Sequence, residues 1–198
     1  MLASRLMMAA REVGLGAYAA GSADPSSTLT IARPDGVAAG TLLLAFVQGG
    51  SPTPPVGWSL LGSYSGRSVY HCVAGASEPA SYRWTYGSST RAQGYIVALS
   101  SAQIDVLGSF AAGQPPTAPA VTASAAGSIA LAFFGEDNDD IAFSTPSGWT
   151  PIASGSGSDA TSAALFYKRV NAGSTGGATS NPSPSTACVG VQLVVKPQ

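Results

Sequence analysis

Ala38-Ala39-Gly40-Thr41-Leu42-Leu43-Leu44-Ala45-Phe46-Val47, closed by Pro55-Val56-Gly57-Trp58, has a second copy later in the chain. There Ala125-Ala126-Gly127-Ser128-Ile129-Ala130-Leu131-Ala132-Phe133-Phe134 leads to Pro146-Ser147-Gly148-Trp149. Leu42, Leu44 and Phe46 match Ile129, Leu131 and Phe133, which are alternating positions of a strand. Self-similarity at a period longer than a solenoid repeat implies two copies of one supersecondary unit, neither able to bury its apolar face alone.

The match continues outward. Val69-Tyr70-His71-Cys72-Val73 aligns with Phe166-Tyr167-Lys168-Arg169-Val170, and Gly94-Tyr95-Ile96-Val97-Ala98-Leu99 with Gly190-Val191-Gln192-Leu193-Val194-Val195. The spacing between matched residues grows along the chain, so insertions in the second copy fall in its loops. Further strands are expected over 59–65, 81–86 and 162–165, with an opening strand over 29–33 whose counterpart is 118–123. The 24 glycines and 14 prolines punctuate these runs as turns. The fold class expected is all-β, an antiparallel β-sandwich or jelly roll built from two similar halves, about 26–110 and 111–198. Residues 1–25 form an N-terminal docking arm on this reading, and 26–198 a single sandwich domain.

Charged residues make up only 10% of the 198-residue chain, and nine basic against ten acidic residues leave a net charge of -1. No basic cluster exists to track a phosphate backbone, so nucleic acid is not an expected partner. No apolar run reaches the roughly 20 residues of a membrane span, and membrane insertion is not expected. At the start, Arg11 and Glu12 cut the apolar segment below the length of a secretory leader. Leu2, Leu6, Ala9, Ala10 and Val13 recur at helical spacing, predicting a short amphipathic helix ended by Gly14 and Gly16. Such a helix is marginal alone, so Leu2, Leu6, Met7 and Ala10 are the candidates for docking on another surface.

The chemistry-bearing residues are few. His71 is the only histidine, and every mechanism based on a Ser-His or Cys-His pair would run through it. Cys72 and Cys188 lack metal-site spacing, which leaves a disulfide joining the halves or two buried thiols. Glu136-Asp137-Asn138-Asp139-Asp140 is the densest charge. Its oxygens make Asp137, Asp139 and Asp140 a calcium candidate, set against a solvated acidic turn. Tyr82, Trp84 and Tyr86 share one strand face and are either core or an exposed platform for a glycan ring. Trp58 and Trp149 are expected to cap the two ends of the sandwich. No cofactor, no catalytic residue and no metal site beyond that calcium candidate is expected.

Ala38 to Val47, Pro55-Val56-Gly57-Trp58 and Val73-Ala74-Gly75-Ala76-Ser77-Glu78-Pro79-Ala80-Ser81-Tyr82 together resemble a β-sandwich domain of tailed-bacteriophage and prophage virion surface proteins. The resemblance covers about Ser26 to the C-terminus. It implies a non-enzymatic structural component of the virion: a tail or collar fibre, a receptor-binding module or a head decoration, made in the host cytoplasm and carried on the particle surface. Its implied partners are other virion proteins and sister copies, a trimer by analogy, and a host-surface glycan. Beside it stand a secreted or cell-surface carbohydrate-binding module and, with less support, a glycan-degrading enzyme.

Overall fold

Each copy of the repeat folds as one antiparallel sheet. The computed structural model describes residues 11–137, 140–156, 161–184 and 186–198. The first half supplies β1 (Gly14–Ala32), β2 (Leu42–Gln48), β3 (Ser59–Tyr64), β4 (Arg67–Val73) and β5 (Ser81–Ser100). Then come β6 (Ala102–Leu107), β7 (Ala111–Gly113), β8 (Thr117–Ala118), β9 (Thr122–Ala123), β10 (Ser128–Glu136), β11 (Ala142–Phe143) and β12 (Thr150–Ser156). The chain finishes with β13 (Ser162–Val170), β14 (Gly173–Ser174), β15 (Ala178–Thr179), β16 (Pro182–Ser183) and β17 (Cys188–Pro197). The first sheet is ordered β1-β5-β2-β4-β3 and the second β12-β13-β10-β17-β6. Read from the opposite edge, the second order becomes β6-β17-β10-β13-β12, which is the first with every strand replaced by its repeat partner.

The halves therefore divide near Ser101, because β6 already belongs to the second sheet, and not near residue 110 as expected. No helix occurs among the described residues, and Gly14 and Gly16 lie inside β1 rather than ending a helix. β1 also runs through the expected arm boundary at residues 25 and 26. Gly14 lies beside the Ser100 hydroxyl, which would have to rotate away from a Cβ placed there.

The two sheets face each other across a core that includes Leu42, Leu44, Phe46, Val97 and Leu99 from the first and Ile129, Leu131, Phe133, Leu193 and Val195 from the second. Phe46 and Phe133, equivalent residues of the two copies, meet with ring centroids 5.4 Å apart. The architecture is all-β and β-sandwich-like, with each copy burying the face the other cannot cover.

Strand pairing corrects one part of the alignment. Phe46 pairs with Val69 and Phe133 with Leu165, so Val69 is equivalent to Leu165 and not to Phe166. A one-residue slip exchanges faces: Val69 and Leu165 line the central core, whereas Phe166 lies on the outer face.

Both outer faces are apolar as well. In the first sheet Leu43, Ala45, Val47, Tyr70, Trp84 and Ile96 form a second cluster. It is covered because β1 doubles back on itself: a Cβ on Gly21 would lie 2.4 Å from the backbone oxygen of Thr30, nine residues along the same strand. Register breaks between Ala23 and Thr28 accompany the bend. The folded-back ribbon sets Ile31 over Gly94, where a Cβ would lie 2.8 Å from Ile31 Cδ1. The equivalent Gly190 makes room for Ala118 in the same way, at 2.9 Å from its backbone nitrogen. The second ribbon is broken into the short pairs of β8 with β15 and β9 with β14. Gln192 fastens it, donating from Nε2 to the carbonyls of Ala118 (3.0 Å) and Gly176 (2.8 Å).

The Pro-x-Gly-Trp turns complete these outer layers. Trp58 N donates to Pro55 O at 3.2 Å and Trp149 N to Pro146 O at 3.1 Å. Gly57 (φ 87°) and Gly148 (φ 77°) occupy the left-handed third position of the turn. Trp58 then packs on Tyr82 and Trp84, with centroids 5.1 and 5.3 Å away, while Trp149 receives Lys168 Nζ at 4.8 Å from its ring. The two tryptophans thus cover the outer faces of the sheets and do not cap the ends of the sandwich.

Candidate functional site

At one end of the sandwich the repeat fails. Gln48, Arg67 and Gln93 form an inward-facing row across β4, β2 and β5, since Gln48 pairs with both Arg67 and Gln93. The equivalent residues of the second sheet are Gly135, Ala163 and Val189. The small residues opposite leave the volume that the long polar side chains fill. A Cβ on Gly135 would fall 2.1 Å from Gln48 Oε1. Tyr95, next inward from Gln93, crosses to the other sheet and donates its hydroxyl to Ala163 O at 2.9 Å, accepting from Gln93 Nε2 at 2.8 Å. Burial pushes the Tyr95 phenol up.

Arg67 is positioned by the hairpin before it, where Ser65 (φ 46°) and Gly66 (φ 77°) supply the two left-handed residues of a type I′ turn. Its guanidinium is nearly fully buried. One terminal nitrogen donates to Ser65 O and, at 3.2 Å, to Asp137 Oδ2. Gln48 Nε2 donates to Asp137 Oδ1. Asp137 follows β10, so this carboxylate clamps the two sheets together with its outer edge still in solvent.

Outside this clamp lies a cleft of about 580 Å³ whose walls include Gly49, Gly50, Thr90, Arg91, Asp137 and Thr161. Arg91 Nε donates to Asp24 Oδ1 at 3.3 Å on its rim. Beneath the walls, Gln48 Oε1, Arg67 Nε and Thr161 Oγ1 have no hydrogen-bond partner among the described residues.

The N-terminal segment leaves from the other end. Val13 N donates to Gly127 O at 3.0 Å, Arg169 reaches Glu12 Oε2 at 3.3 Å and Arg11 reaches Gln198 O at 3.4 Å. Both Ala-Ala-Gly turns sit here, so residues 11–13 lie at the beginning of β2, whereas Gln48 and the cleft lie at its end. Seven residues of strand separate them, about 20 Å. Leu2, Leu6, Met7 and Ala10 lie outside the described residues.

The aromatic stripe is not an exposed platform. Tyr82 and Trp84 are buried on the inner face of the folded-back ribbon and Tyr86 is half-buried with its hydroxyl sealed. The ribbon that carries the stripe turns it inward onto its own sheet. Burial, with the Glu78 carboxylate accepting its hydrogen bond at 2.8 Å, pushes the Tyr82 phenol up.

Cys72 and Cys188 are free and buried. Strand alternation places them on the outward faces of opposite sheets, with both sheets between them, beyond the reach of a disulfide. Burial, reinforced by Glu78 and by Glu136 respectively, pushes each thiol up to about 12, so both remain protonated near neutrality.

Of the calcium candidates, Asp137 is held by a guanidinium and an amide rather than by other carboxylates, and Asp139 lies outside the described residues. Asp140 has φ 55° and is exposed. Among the described residues no three His, Cys, Asp or Glu side chains converge. His71 is half-buried on β4, and burial holds its imidazole below the usual histidine range.

The polar row escaped the sequence reading. The alignment already set Gln48 against Gly135, a readable asymmetry, but Arg67 requires the corrected register. Comparison with protein-family models, curated proteins and solved structures finds no match to this chain.

Proposed function

We propose that the protein is a non-enzymatic structural component of a tailed-phage virion, of the surface-exposed fibre or decoration type. Its N-terminal segment docks on other virion proteins and on sister copies, and the sandwich projects outward. The observation that carries this reading is polarity along the strands: residues 11–13 lie at one end of β2, and the repeat-breaking polar cleft lies at the other. An anchored module needs its attachment and its exposed surface apart, and this arrangement supplies both.

Two further features support a structural role. Carboxylates along the chain are used as fasteners. Asp105 accepts from Ser124 N at 2.7 Å and Oγ at 2.6 Å while meeting Lys196 at 3.1 Å, and Glu78 ties Gly75 N at 2.6 Å to Tyr82. Three stacked apolar layers within one small body also suit a particle component that must endure outside the cell.

Deleting Met1 to Arg11 is expected to abolish incorporation into the particle while leaving the isolated protein folded, because Val13 and all of β1 remain. Particle composition measured by gel or mass spectrometry checks this. Normal incorporation of the truncated chain would overturn the docking assignment.

A further inference from the structure

We infer that the cleft beside Asp137 and Arg91 binds a neutral, hydroxyl-rich ligand, of the kind the edge of a sugar ring presents. The inference rests on this end of the sandwich facing outward, as proposed above.

The electrical balance of the site selects the ligand's charge. Asp137 pairs with Arg67, and Asp24 with Arg91. Two carboxylates and two guanidiniums therefore cancel. An anion or a cation would gain attraction from one member of each pair and repulsion from the other, and its desolvation would go uncompensated. A neutral ligand avoids that conflict and can still use both charges as hydrogen-bonding groups.

The unused bonding capacity selects its chemistry. An ionised carboxylate accepts at about four lone-pair positions, and Asp137 receives one donor on each oxygen while its side chain remains 59% exposed. Arg91 commits Nε to Asp24, and its side chain, 48% exposed on a residue that lines the cleft, retains the donors of its terminal nitrogens. Acceptors on one side and donors on the other match vicinal hydroxyls, each of which donates and accepts. Hydrogen bonds to charged groups are the stronger class.

The wall is built for close approach. Gly50 (φ 58°) exposes bare backbone, while Gly49 (φ 110°) is buried beside it, where a Cβ would lie 2.4 Å from Arg91 O. Below Gly50 lies the Tyr86 ring, 3.4 Å from where a Cβ would stand. Gln48 Oε1, Arg67 Nε and Thr161 Oγ1 beneath the walls are unpartnered among the described residues although their residues are at most 4% exposed. The volume lies within the roughly 300–1,000 Å³ of small-ligand sites.

The test is an amide chemical-shift titration of the full-length protein with D-glucose, D-galactose, D-mannose and N-acetyl-D-glucosamine, each at millimolar concentration, with inorganic phosphate as the charged probe. At least one sugar is expected to shift the amides of Gly49, Gly50 and Thr90, and phosphate to leave them in place. Arg91→Ala and Asp137→Asn should each weaken that binding by about tenfold or more, the loss of one charge-assisted hydrogen bond. Arg91 is exposed, so its variant decides the matter even if Asp137→Asn does not fold. Shifts with no sugar, equal affinity in Arg91→Ala, or stronger shifts with phosphate would each overturn the inference. A negative titration combined with failed incorporation of the truncated chain removes only the ligand site, whereas normal incorporation removes the anchored-module reading.

Discussion

Trp84→Ala is expected to lower the free energy of unfolding by about 3–5 kcal/mol, the range for removing a fully buried aromatic side chain. Trp84 is fully buried. Its ring touches Trp58 from the Pro-x-Gly-Trp turn and Tyr70 from β4, with centroids 5.3 and 6.2 Å away. Truncation would leave a cavity between the first sheet and the ribbon folded over it, and three separate segments would lose their common contact. Because small domains are stable by only about 5–15 kcal/mol, the variant should unfold at much lower urea concentration with its m-value little changed. A stability change below about 1 kcal/mol would contradict the assignment of this stripe to the core, since exposed substitutions typically stay within about 0.5 kcal/mol.

Asp137→Ala is expected to cost about 1.5–3 kcal/mol, the range for hydrogen bonds to charged groups. The direct loss is the pair of bonds from Arg67 and Gln48. The larger consequence is a guanidinium that stays buried without its carboxylate, an arrangement that costs more than removing both partners. Adding Arg67→Met should therefore restore much of the lost stability, because an apolar side chain of similar length suits the space facing Ala163 and Gly135. Urea titrations of the two single variants and the double variant measure the coupling. Strict additivity would mean that Asp137 does not serve Arg67.

The repeat was legible because its chemistry is local. A Pro-x-Gly-Trp turn requires glycine at a left-handed position, and the alternation of Leu42, Leu44 and Phe46 names the buried face directly. From these the two-half plan follows, and the structure adds that each half is one sheet. The slip in β4 and β13 arose from matching Tyr70 to Tyr167. The two tyrosines look equivalent, yet Tyr70 faces the outer layer and Tyr167 packs against the central core.

Alternation also could not decide between core and platform for Tyr82, Trp84 and Tyr86. It fixes which residues share a face and is silent on whether another layer covers that face. The covering depends on contacts between Gly21 and Thr30, and between Gly94 and Ile31, which join positions far apart in space until the ribbon folds back. The candidate site was hidden for a related reason. Gln48, Arg67 and Gln93 come from three strands and become one row only when the register is known. Their meaning as an asymmetry emerges against Gly135, Ala163 and Val189, the small residues that stand in the equivalent places.

The most direct test of the account is a density map of the assembled particle in which this chain is placed. The end formed by Arg11, the turn at Ala38 to Gly40 and Gln198 is expected to face the particle, with the cleft at Gly49, Arg91 and Asp137 outermost and open to solvent. Finding that cleft pressed against the particle, with Arg11 to Val13 pointing outward, would contradict it.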